Sequence, residues 1–182
     1  MKIYISGGCK NGKTSYAQSA VLKLAKGRPH VYVATMTAKD DEDRARIAKH
    51  IEDRAGLGFI TAEKSENIST VLNEYGQNAV YLVDSITALL ENALYPGGHE
   101  AVDPKTAEET LLNDLLAFSD KAEDAVFVSD YIFSEAQNYS SETLFYMKSL
   151  AEIDKALAAK CDVLIEMQGG NIICHKGDLQ WI

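Results

Sequence analysis

Residues 7 to 14 read GGCKNGKT and follow directly on the apolar run KIYIS (2–6). The spacing G-x-x-x-x-G-K-[ST] arises by chance in many chains. It gains meaning only between a buried strand and a helix. Both are present here, since a helical pattern runs over 13–26. Gly7, Gly8 and Gly12 give the backbone the freedom and close approach that let successive N–H groups of the loop, through Cys9, Lys10 and Asn11, encircle phosphate oxygens. The start of the helix adds its partial positive charge. Lys13 is then placed for the outer phosphates and the Thr14 hydroxyl for Mg²⁺. A merely structural glycine turn is the competing reading. The expected ligand is ATP or GTP with Mg²⁺.

The rest of the chain fits a sheet behind such a cradle. Runs at 2–6, 30–35, 79–85, 125–130, 162–167 and 171–176 read as strands, most of them continuously apolar, as in a parallel sheet covered on both faces. Helical patterns fall at about 13–26, 41–54, 66–75, 86–95, 104–119 and 141–160. Such alternation predicts a three-layer α/β fold of the P-loop NTPase, RecA-like kind with right-handed crossovers. The QGG at 168–170 predicts a tight hairpin, hence an antiparallel strand at the C-terminal edge. At 182 residues the chain suits one nucleotide-binding domain over 1–182.

Charge and cysteine content narrow the partners. A net charge of -9 disfavours nucleic acid, although a local cradle can still hold a small anion. Cys9, Cys161 and Cys174 are odd in number without C-x-x-C spacing, which predicts neither a zinc site nor a disulfide framework. Cys9 is read as a small residue that fits the loop, or as a thiol sensitised by the helix end. No leader-like start and no apolar stretch of about 20 residues is seen, so no membrane span and a cytoplasmic location are expected.

Two further features carry chemistry. Asp84 ends the run VYLVD, where it can hold Mg²⁺ or simply cap the following helix. The segment 38–54, AKDDEDRARIAKHIEDR, puts Arg46, His50 and Arg54 four residues apart on one predicted helix face. A histidine between guanidiniums suits a nucleophile or acid/base acting on phosphate, with the arginines stabilising developing charge. An incidental histidine on a solvated helix is the alternative. His30, His99 and His175 have no partner at ligand spacing.

Taken together, GGCKNGKTSYAQ, VATMTAKDDEDRARIAKH, ITAE and VYLVDSITALLENAL resemble, in order, the adenosylcobinamide kinase / adenosylcobinamide-phosphate guanylyltransferase family. The likeness is close over about 1–95 and looser over 150–177. It implies two reactions of cobalamin assembly. The first phosphorylates the aminopropanol hydroxyl of the corrinoid adenosylcobinamide with a nucleoside triphosphate. The second passes GMP from GTP, through a histidine, onto that phosphate to give adenosylcobinamide-GDP. His50 stands at the family's R-I-x-x-H position, which implies that it is the guanylylated residue. The resemblance also implies a homo-oligomer, typically a trimer.

The chain departs from the family in places. The family's Asn-Glu-Val-Gly stretch is replaced within SDYIFSEAQNYSS (129–141) by Asp130 and Tyr131, and its Trp before T-x-E by Phe59 nearby. Asp43 stands where the family prefers methionine. The first departure lies at a strand's C-terminal end, where α/β ligands bind. A diverged P-loop small-molecule kinase, or a nucleotide-gated regulatory protein without guanylyl transfer, therefore stays open. The aromatic cluster Tyr131, Phe133, Tyr139, Phe145 and Tyr146 reads as core, subunit interface or ligand-stacking wall.

Overall fold

The computed structural model describes residues 1–133 and 138–180. Its strands are β1 (Lys2–Gly7), β2 (His30–Ala34), β3 (Ile60–Glu63), β4 (Val80–Asp84), β5 (Asp124–Asp130), β6 (Val163–Gln168) and β7 (Asn171–Lys176). They form one seven-stranded sheet in the order β3-β2-β4-β5-β1-β6-β7. Every neighbouring pair is parallel except β6 and β7. The helices are α1 (Lys13–Ala25), α2 (Asp41–Asp53), α3 (Val71–Tyr75), α4 (Ile86–Leu94), α5 (Pro104–Lys121) and α6 (Ser141–Lys160).

The apolar runs become strands because both faces of the central sheet are buried. Ile3 and Ile5 of β1 pack with Ala17, Ala20 and Val21 of α1, beside Leu82 and Val126. Tyr4 points the other way, into a second core where Tyr81, Val83 and Phe127 meet Leu90, Leu115, Phe118 and Ile153. Period-2 alternation between two covered faces removes the polar side of each strand, and three layers result. The two-residue turn at Gly169 and Gly170, both at positive φ (56° and 78°), closes the edge hairpin as the QGG predicts.

Two elements differ from expectation. Residues 60–63 form an edge strand, which four residues with a mostly exposed pattern do not announce. The helix predicted over 66–75 is a 3-10 turn at Ile68–Thr70 leading into α3. Residues 134–137, the middle of the segment that departs from the family, lie outside the described residues.

In this order β5 separates β1, which feeds the glycine loop, from β4, which ends at Asp84. The C-terminal ends of β1, β4 and β5 lie together at one end of the sheet, the ligand-binding end of α/β folds.

Candidate active site

The glycine loop is shaped as a cradle. Gly12 takes φ +83° and Lys10 φ +59°, left-handed conformations that curl the backbone just before α1. Gly7 is required for a second reason: a Cβ there would lie 2.3 Å from the Met167 carbonyl oxygen of β6. Asn11 Nδ2 donates to that same carbonyl at 3.4 Å and ties the loop to the sheet.

Helix capping sets α1 apart from the other long helices. Asp40, Ser85, Asp103 and Ser140 each accept a backbone N–H at the start of α2, α4, α5 and α6. At α1 the cap position is Gly12, with no side-chain cap and no acidic residue in the first turn. The N–H groups and positive end of α1 are left for an external anion.

Lys13 is only 7% exposed. Its ammonium donates to Gly8 O and to Asp130 Oδ1, each at 2.7 Å. Two of three donors are thus used and the third is open to a phosphate. Asp130, one of the departures from the family, therefore sits in the cradle itself. Its backbone N–H donates to Thr87 Oγ1 at 2.9 Å, and that of Tyr131 to Gly7 O at 2.9 Å, which locks the end of β5 to β1.

The second half of the site forms around Asp84. Ser85, not Asp84, caps α4, accepting from the Ala88 N–H at 3.2 Å. The Asp84 carboxylate turns instead to α1: Thr14 Oγ1 donates to its Oδ2 at 2.9 Å, and Tyr32 OH to the same oxygen at 2.7 Å. No hydrogen bond to Oδ1 is found among the described residues. One carboxylate beside one hydroxyl at a phosphate cradle is the donor set Mg²⁺ takes when phosphates and water complete its shell. No group of three or more His, Cys, Asp or Glu side chains able to hold a metal occurs among the described residues, and such a shell needs none.

Helix α2 is a different surface. None of its residues is buried. The Nδ1 of His50 is buried and has no hydrogen-bond partner among the described residues. Arg46 is half exposed and only loosely paired with Asp43 at 4.0 Å. Arg54 does not join them. It caps the C-terminus of α2, is 8% exposed, and lays its guanidinium 4.4 Å from the centre of the Tyr32 ring. Its Nε donates to Thr61 Oγ1 at 3.2 Å. No hydrogen bond or ion pair links His50 or Arg46 to the cradle among the described residues.

Past the ends of β2 and β3 lies a cavity of about 840 Å³, lined by Thr37, Lys39, Glu66, Asn92, Thr110 and Asp114 among others, and by neither Asp84 nor a cradle residue. The buried Thr35 bolts its wall to the start of α4: its Oγ1 accepts from Ser85 N–H at 2.6 Å and donates to Ser85 O at 2.9 Å. Asn92 Nδ2 in turn donates to Thr35 O at 2.8 Å. Of the aromatic cluster, Phe133, Phe145 and Tyr146 pack on the core, while Tyr131 is 46% exposed. No helix among the described residues is long and apolar enough to cross a membrane.

Tyr32 and Thr35 are the residues of the candidate site that sequence reasoning misses, while for Asp130 it misses only the contact with Lys13. Asp130 carried a signal, an acid at a strand's C-terminal end; Tyr32 and Thr35 carried none. Comparison with solved structures supports the architecture. An ATPase domain matches 97% of this chain and 76% of its own at TM-score 0.55 and 12% identity. A KaiC-like protein from the hyperthermophilic archaeon Pyrococcus horikoshii OT3 matches 98% of this chain and 79% of its own at TM-score 0.52 and 14% identity. These likenesses bear on the fold, which is that of the P-loop ATPases. Comparison with curated proteins gave no match. The model of one family, cobinamide kinase / cobinamide phosphate guanyltransferase, matches residues 3–173, nearly the whole chain, and the protein belongs to that family.

Proposed function

We propose that the protein carries out both transfers its family description names, phosphorylating adenosylcobinamide and then guanylylating the product. The observation that carries the reading is the convergence of Lys13, Thr14 and Asp84 at the uncapped start of α1. In the first step the triphosphate, ATP or GTP, lies along Gly7–Thr14 with Lys13 on its outer phosphates. Thr14 and Asp84 would hold Mg²⁺, which would supply charge neutralisation at the transferring phosphoryl group. The aminopropanol hydroxyl attacks the γ-phosphorus, the bond to the β-phosphate oxygen breaks, and the hydroxyl proton leaves to solvent. The cavity at this end of the sheet is the place for the acceptor: it exceeds what a nucleoside needs, and its mixed lining, with Lys39, Glu66, Asn92 and Asp114 among it, offers donors and acceptors to an amide-bearing group.

In the second step His50 attacks the α-phosphorus of GTP and pyrophosphate leaves. The corrinoid phosphate then attacks the same phosphorus, the P–N bond breaks, and adenosylcobinamide-GDP departs with the imidazole restored. Arg46 is the guanidinium near His50 that stays exposed to meet the developing charge. The seating of Arg54 against Tyr32 favours a structural share in this step over direct phosphate contact. The protein acts in the cytoplasm as a homo-oligomer, a trimer, on nucleotide and corrinoid, with neither nucleic acid nor membrane as partner.

One observation favours the narrower alternative of a kinase or nucleotide switch without guanylyl transfer. Among the described residues no bond holds His50 at the cradle, so the second reaction requires α2 to meet the nucleotide. Incubation with adenosylcobinamide, ATP, GTP and Mg²⁺, followed by chromatography and mass spectrometry of the corrinoids, separates the two. The full reading predicts the GDP-linked corrinoid; accumulation of the phosphate alone leaves only the kinase.

A further inference from the structure

The hydroxyl of Tyr32 on β2 reaches the Asp84 carboxylate of the neighbouring strand β4. It shares Asp84 Oδ2 with the Thr14 hydroxyl, at 2.7 Å and 2.9 Å. With both donors on one oxygen, the lone pairs of Oδ2 are taken, and Oδ1 is the carboxylate oxygen left without a protein partner among the described residues. The ring is held on more than one side. It is 3% exposed, Phe59 meets it edge-on with centroids 6.2 Å apart, and the Arg54 guanidinium lies 4.4 Å from its centre. Arg54 is itself fixed by Thr61 of β3.

A buried aromatic whose only polar atom meets a metal-side carboxylate differs from ordinary packing, which a phenylalanine would serve as well. We infer that Tyr32 is a positioning residue for the triphosphate chemistry: its hydroxyl fixes the Asp84 carboxylate so that Oδ1 serves the cation, and Arg54 seats the ring. The chain Arg54–Tyr32–Asp84–Thr14 also joins the C-terminal end of the histidine helix to the start of α1. The inference rests on the reading of Asp84 as a metal ligand, but not on either group transfer.

Tyr32→Phe tests it, because the ring and its contact with Arg54 are kept and only the hydroxyl goes. Binding of Mn²⁺ to the complex with a non-hydrolysable triphosphate, followed by electron paramagnetic resonance, reads the metal without turnover. The affinity of the same triphosphate in EDTA reads the cradle alone. Loss of a hydrogen bond to a charged group predicts Mn²⁺ affinity reduced about tenfold, with affinity in EDTA within about twofold of wild type. Arg54→Met should weaken Mn²⁺ in the same direction, and Arg54→Lys should recover part of the loss. Unchanged Mn²⁺ affinity in Tyr32→Phe overturns the inference. Equal losses with and without metal also overturn it, since they indicate a structural role. If the corrinoid is not converted but Mn²⁺ binding responds as stated, the proposed reactions fail while the role of Tyr32 stands.

Discussion

Gly7→Ala puts the geometry of the cradle under the most direct strain. Gly7 ends β1 and lies between Asp130 of β5 and Met167 of β6 in the sheet register. The added Cβ would meet the Met167 carbonyl oxygen at 2.3 Å, against about 3.3 Å for the closest comfortable carbon–oxygen approach. The shortfall of about 1 Å falls on backbone, not on the end of a flexible side chain. Neither flanking strand yields easily, since Ile5, Val128 and Ile165 nearby are all 2% exposed or less. Overpacking of this kind costs about 1–3 kcal/mol, which for a chain of this size lowers the melting midpoint by about 2–4 °C per kcal/mol. The larger effect is functional. Displacing the loop by about 1 Å misplaces the N–H groups and Lys13, and activity should fall about a hundredfold. Gly8→Ala is the control for stability alone, because its Cβ meets only the Asn11 side-chain amide, at 3.0 Å, while its place in the cradle bears on nucleotide. Thermal melts and equilibrium binding of a fluorescent ATP analogue would read both variants. If Gly7→Ala melts within about 1 °C of wild type and binds nucleotide normally, the loop is not pinned against β6 and the reasoning fails.

Three other perturbations probe separate parts of the account. Asp130→Asn removes the carboxylate that holds Lys13 and faces the same space as the triphosphate; nucleotide should bind about fivefold tighter in titration calorimetry, and weaker binding would show that Asp130 assists the ligand. Asp154, on α6, accepts from Tyr4 OH and from Ser129 Oγ, and burial raises its pKa to about 6. With the folded value above the unfolded one, its contribution to stability is greatest below about pH 4 and is lost as pH rises through about 6, so Asp154→Asn should gain up to about 3 kcal/mol over wild type at pH 8 and little at pH 4, by chemical denaturation. Cys9 and Cys174 are exposed, whereas Cys161 is buried with its thiol pushed up to about 12. Iodoacetamide should therefore add twice to the native protein, and saturating ATP should protect Cys9; a third addition without unfolding contradicts the placement of Cys161.

How much of this was legible in the sequence follows from the range of each interaction. The cradle is a contiguous motif, and β1, the loop and α1 form from neighbouring residues, so Lys13 and Thr14 could be placed in advance. Asp84 was legible as an acid ending an apolar run, but not that Ser85 would cap α4 and leave its carboxylate to turn toward Thr14 and Tyr32. The partners that complete the site come from far along the chain. Lys13 and Asp130 are 117 residues apart, and Tyr32 and Asp84 are 52 apart. No periodicity within either segment marks such a pairing. The helix-face reading of Arg46, His50 and Arg54 extended the helical spacing past the end of α2 at Asp53. At the cap the chain leaves the helix, and Arg54 goes to the apolar face of Tyr32, where its flat, weakly hydrated guanidinium is well accommodated.

The central claim, that this fold couples a triphosphate cradle to a nucleophilic histidine, is tested most directly by the intact mass of the protein after incubation with GTP and Mg²⁺. The account predicts an acid-labile adduct of the mass of GMP on the wild type, absent from His50→Ala and from Lys13→Ala. Wild type that binds GTP yet gains no mass, or an adduct that persists in His50→Ala, contradicts it.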